Sequence, residues 1–202
     1  MRLFHKLKNW QLFIILMGLP ISAEIYSIKY MIDDYYQQKI GKTEDALIII
    51  QPETIIDSMR FFPMILLVFM IIFCAWLWSM GVGLQYLMPK NVKMNVRRFK
   101  IALSIPLIYF ISTAILMQYF YNIMHIIPIW FVATIIALYI FSFLCVVYCM
   151  LFSAQTFKSI FLGRETNFSE YADEFFLIWI YPVGIWFLQP RINKMVEMWK
   201  YL

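Results

Sequence analysis

Pro89 to Lys100 reads PKNVKMNVRRFK, with five cations (Lys90, Lys93, Arg97, Arg98 and Lys100), no acid, and an uncharged apolar run on either side. Lys and Arg beside apolar runs mark the cytoplasmic side of a membrane protein. The stretch therefore predicts a cytoplasmic hinge between two membrane-spanning helices, and every other segment is placed from it.

Composition points the same way. The chain has 202 residues, 63% hydrophobic and only 14% charged, with mean hydropathy +0.73; a soluble domain carries about a quarter charged residues. One crossing takes about 20 apolar residues, because a helix rises ~1.5 Å per residue and the hydrocarbon core is ~30 Å thick. The chain has room for four or five crossings, and its longest polar segment, residues 33–59, is too short to bury a core of its own. We expect an all-α integral membrane protein, one polytopic domain over residues 1–202 with four transmembrane helices near 10–31, 61–88, 101–122 and 127–153. A short Pro/Gly-broken segment, 175–190, follows as a re-entrant or interfacial piece; five transmembrane helices are the alternative.

Upstream of the hinge, residues 61–88 carry no charge, and Ser79 and Gly83 lie four apart, a small pair suited to helix packing. The first apolar run follows Arg2, Lys6 and Lys8 and resembles a signal peptide; it reads as a retained helix with its basic end inside. Gly18 and Pro20 predict a bend or a freed carbonyl in it. Glu24, beyond them, costs about 2.5–3.5 kcal/mol near mid-bilayer and less toward the interface.

Downstream, residues 101–153 hold no Asp, Glu, Lys or Arg and are too long for one helix. Tyr119, Tyr121, Asn122, His125 and Pro128 mark the turn, since aromatic and polar residues favour the interface and proline starts helices well. Residues 155–174 are polar, with a helix start at Ser169 and acids in its first turns. The run 175–190 is short for a span, is broken by Pro182-Val183-Gly184, and precedes Arg191, Lys194 and Lys200. If it crosses, those cations lie outside; if it dips in and returns, they join the hinge inside, which the distribution of the 17 Lys and Arg residues favours.

Chemistry is sparse. Cys74, Cys145 and Cys149 lie in apolar runs, which excludes a disulfide scaffold and disfavours a redox site. No phosphate loop, histidine pair at metal spacing or nucleophile elbow is present, and no cofactor is expected. Polar stripes are the better lead. Ala114, Gln118 and Asn122 share one face, and Ser142, Cys145, Cys149 and Ser153 another. They read as helix packing or as the wall of a water-filled path. Glu24 and His125 fall toward the same outer half and form a candidate pH-sensitive pair. The hinge cations, with Arg191 and Lys194, are candidate contacts for lipid head groups or anions.

The leading functional expectation is a homo-oligomeric channel or pore gated by an anionic cytoplasmic ligand, a small molecule or oligonucleotide, in a bacterial inner membrane with both termini cytoplasmic. A non-catalytic subunit anchoring a partner protein complex is the first alternative and a lipid-modifying enzyme the second. Membrane lipids are partners on every reading.

Overall fold

The computed structural model describes residues 8–40, 62–120 and 129–198. These are almost wholly helical, with no strand among them: Asn9–Phe13 (α1), Leu19–Ile40 (α2), Phe62–Gly81 (α3), Val96–Phe120 (α4), Ile129–Leu162 (α5), Phe168–Trp179 (α6) and Tyr181–Met198 (α7). Four stretches are long and apolar enough to cross a membrane: Trp10–Tyr30, Met64–Leu87, Val96–Leu116 and Ile129–Leu162.

The irregularities in the first helix have a local cause. Pro20 has no N–H to return to the carbonyl of Leu16, and α1 joins α2 through a π-helical turn over Ile14–Gly18. The expected disturbance is thus a widened turn rather than a break. The helix also runs to Ile40, past the expected end near residue 31.

α3 stops at Gly81. The carbonyl of Trp78 accepts from both Val82 N–H (2.9 Å) and Gly83 N–H (3.2 Å), and a 3-10 turn, Gln85–Leu87, leads to Pro89. Gly83 therefore lies beyond the helix rather than on its packing face. The close approach is two residues earlier: a Cβ on Gly81 would sit 2.5 Å from the Phe99 ring.

The hinge is only half a loop. Pro89 C=O accepts Val92 N–H at 3.0 Å, and the Asn95 carboxamide oxygen accepts Arg98 N–H at 3.1 Å, starting α4 at Val96. Arg97, Arg98 and Lys100 consequently stand on the first turns of a helix, five residues before the expected start.

α5 is 34 residues long, or about 51 Å. It passes the expected end at Ser153 because Thr156 returns its hydroxyl to the Phe152 carbonyl (2.8 Å) and Ser159 shares a hydrogen bond with Thr166 (3.0 Å). Gly163, with φ at +70°, ends it.

The C-terminal apolar segment folds as a hairpin. α6 starts where Asn167 N–H donates to the Glu170 carboxylate at 3.0 Å, slightly before the expected Ser169, and runs back along α5. Lys158 meets Glu174, and Phe143 meets Trp179 edge to face at 5.9 Å. The chain reverses at Ile180, and Pro182 sits in the first turn of α7. Tyr181 packs on Phe69 and Phe73 and donates to the Met17 sulfur (3.0 Å); Phe13 meets Trp186, and the Trp76 indole donates to Gln189 at 3.4 Å. α7 therefore runs beside α3 and antiparallel to α1, and Lys8, the hinge, Gly163 and Lys194 share one end of the bundle.

The core lies toward that end. Trp76, Leu77, Phe99, Phe157, Ile178, Ile185 and Leu188 are almost fully buried, whereas Ile25 and Ile28 of α2 and Ile136, Leu138 and Ile140 of α5, toward the far end, are exposed.

Candidate functional site

The hinge end carries the chemistry. Phe99 is fully buried and stacks on Phe152 at 4.7 Å, and Val92 is buried as well, so two apolar side chains pin the hinge while its cations are exposed. Lys90, Lys93, Arg97, Arg98, Lys100, Arg191 and Lys194 are all exposed. Lys100 lies over the Trp78 ring at 5.5 Å from its centroid.

Two acids of the same end, Glu174 and Glu170, are engaged. Lys158 Nζ donates to Glu174 at 2.8 Å, with side-chain exposures of 20% and 5%, and Arg164 pairs with Glu170 through both its terminal nitrogens. Among the described residues these are the ion pairs present, and the cations of Lys90, Lys93, Arg97 and Arg98 have no acidic partner. The end therefore presents unpaired hinge cations alongside two ion pairs and the exposed carboxylate of Glu165.

A cleft of about 300 Å³ opens between the hinge, α5 and α6. Lys93 and Asn95 contribute from the hinge, Tyr148 and Gln155 from α5, Glu165 from the connecting turn and Tyr171 from α6. Gln155 donates its amide to the Thr166 carbonyl at 3.4 Å. Burial pushes the Tyr171 phenol above its ordinary value.

Acid is expected to loosen the turn before α6. The Arg164 side chain, then the Asn167 N–H, hold the Glu170 carboxyl below its ordinary 4.5. A carboxylate held low stabilises the fold above its unfolded value, and that contribution is lost as pH falls through the folded value. It is therefore full above about pH 4.5 and fades below it, and it is small because the pair is exposed. Amide protection factors at residues 164–170, with the intrinsic pH dependence of exchange divided out, are expected to fall below that pH in the wild type, and to be already low and insensitive to pH in that range in Glu170→Gln.

The residues suggested by the sequence divide into three groups. Cys149 and Ser153 are fully buried, with the thiol against the Phe99 carbonyl (3.9 Å) and the hydroxyl donating to the Leu77 carbonyl (3.4 Å); Ser142 is buried too, and Cys145 is half-buried. This stripe faces the other helices of the same chain, so packing within one bundle occupies the surface suggested as a path wall. Ser79 is buried in α3, Gly83 lies past its end, and Gln118 is in the last turn of α4. Glu24 is exposed on α2, while Asn122 and His125, and with them the proposed pair, lie outside the described residues.

Sequence reasoning missed three features: Gly81 against Phe99, the burial of Glu174, and the cleft. Only the first left a signal, a Gly at the helix end. Glu174 looked like one of several solvated acids, and the cleft joins segments far apart in the chain.

No protein-family model, curated protein or solved structure matches this chain. Its site is read from its own geometry.

Proposed function

We propose that the protein is a non-catalytic, multi-pass membrane subunit that anchors an acidic partner protein at its hinge end, in a bacterial inner membrane with both ends of the chain cytoplasmic. One observation supports the reading: Lys90, Lys93, Arg97 and Arg98 are exposed and in no ion pair among the described residues, while Glu174 and Glu170 are taken by Lys158 and Arg164. Lys and Arg in this position attract anionic surfaces by about 1 kcal/mol each near the membrane. The α6–α7 hairpin fits the same placement. Its inward arm, α6, has 12 residues, about 18 Å, short of a ~30 Å hydrocarbon core. Phe176, Trp179, Ile180 and Val183 form an exposed apolar face suited to the inner leaflet.

The test is co-purification from the native membrane at moderate salt. Replacing Lys90, Arg97 and Arg98 with Gln is expected to weaken partner retention on the order of 100-fold, from about 1 kcal/mol per charge, and wild-type retention is expected to fall with salt. A topology reporter at the C-terminus checks that orientation survives the loss of charge. Retention that ignores both the substitutions and salt would reject the reading.

A second reading, a homo-oligomeric channel gated by an anionic ligand at the same face, is favoured by one observation. The window Trp10–Tyr30 is only 12% buried, and Glu24 is exposed on it, a carboxylate that a neighbouring copy would shield. A single mass in mild detergent equal to the monomer, without conductance in liposomes, would remove it.

A further inference from the structure

We propose that the cleft between the hinge and α6 binds a zwitterionic phosphoethanolamine group, the head group of a membrane lipid or its soluble counterpart. The proposal rests on reading the hinge end as a membrane interface, and on no property of the anchored partner.

Two opposite charges line one cavity without neutralising each other. Lys93 and Glu165 both border the cleft, yet they form no ion pair, and neither has another ionic partner among the described residues. A ligand with a phosphate and an ammonium a few ångströms apart would satisfy both at once. A purely anionic ligand would meet Glu165 as a repulsive wall. A simple phosphate would leave that carboxylate unanswered.

The remaining lining suits the same ligand. The Tyr171 phenol, raised by burial, keeps its proton and offers a donor to a phosphate oxygen. The Gln155 carbonyl oxygen, its amide being engaged with Thr166, adds an acceptor for an N–H of the ammonium. A primary ammonium has N–H groups for both acceptors, whereas a quaternary one has none. Tyr148, partly exposed and about a turn farther from the hinge end than Phe152, gives the cleft an apolar exit along α5, where the acyl chains of a lipid would leave. The volume, about 300 Å³, falls at the lower bound for small-ligand sites and admits a head group rather than a whole lipid.

The experiment is native mass spectrometry of the full chain in mild detergent, titrated separately with phosphatidylethanolamine, phosphatidylcholine, phosphatidylglycerol and O-phosphoethanolamine. Phosphatidylethanolamine is expected to be retained about tenfold better than either other lipid, as one charge-assisted hydrogen bond predicts. Glu165→Gln is expected to abolish that preference and Lys93→Gln to weaken retention of all three lipids, each at unchanged melting midpoint, since both side chains are exposed. Failure of O-phosphoethanolamine to displace the lipid assigns the site to the lipid; displacement at similar concentration assigns it to the soluble molecule. Equal retention of phosphatidylglycerol or phosphatidylcholine, or variants that bind as the wild type does, would overturn the proposal. Flotation with vesicles separates the two levels: protein that does not float undermines the membrane reading, and protein that floats without lipid preference undermines the cleft alone.

Discussion

Replacing Lys158 with Met is expected to destabilise the protein by about 3–5 kcal/mol, the range for stripping one partner from a buried ion pair. The size follows from the environment of Glu174 rather than from the strength of the pair. Its side chain is 5% exposed, one carboxylate oxygen accepts from Lys158 at 2.8 Å, and the other is buried with no protein hydrogen bond. Without the ammonium, a desolvated charge remains between α5 and α6, and separating the helices is the direct way to rehydrate it. The double variant Lys158→Met/Glu174→Leu is expected to return to within about 1 kcal/mol of the wild type or above it, because a well-packed apolar pair commonly matches a buried ionic one. Thermal melts of the full chain in detergent measure all three proteins. Equal deficits in the single and double variants would mean that the loss arises from packing and not from an unpaired charge.

The same pair marks where sequence reading succeeds and where it stops. Four long apolar helices follow from run length, which is a one-dimensional signal. The boundaries do not, because hydropathy reads Thr156 and Ser159 as the beginning of a loop. Both are buried in α5, one hydroxyl returning to Phe152 and the other shared with Thr166. The polar stripe was legible as a face that avoids lipid, but not as one spent on the Phe99 and Leu77 carbonyls, 50 and 76 residues away in the chain. Glu174 was least legible of all. It stands among Glu170 and Asp173 in a helix start, and only the return of α6 along α5 separates the buried acid from its solvated neighbours.

Gly184→Ala is expected to cost roughly 3 kcal/mol or more, at the upper end of overpacking penalties. Two effects oppose each other here. Alanine is the better helix former, by about 0.8–1.0 kcal/mol in a helix interior, so propensity alone predicts a gain. Sterics decide otherwise: an added Cβ would lie 1.7 Å from the Leu177 carbonyl oxygen and 2.5 Å from its carbonyl carbon. Both atoms belong to backbone, so no rotamer change relieves the overlap, and α6 and α7 must spread. Spreading would disturb Ile178, Ile185 and Leu188, all essentially fully buried, and would pull Tyr181 from Phe69 and Phe73. Gly163→Ala is the internal control. Its φ of +70° carries a conformational cost of about 1 kcal/mol, but its Cβ would enter open space. Melting midpoints are therefore expected to fall in the order wild type, Gly163→Ala, Gly184→Ala. The ranking bears on more than stability, because contact between Leu177 and Gly184 is possible only if the chain reverses at Ile180. A Gly184→Ala protein as stable as the wild type would remove that contact and with it the hairpin, leaving a segment free to cross the bilayer and carry Arg191 and Lys194 to the side opposite the hinge.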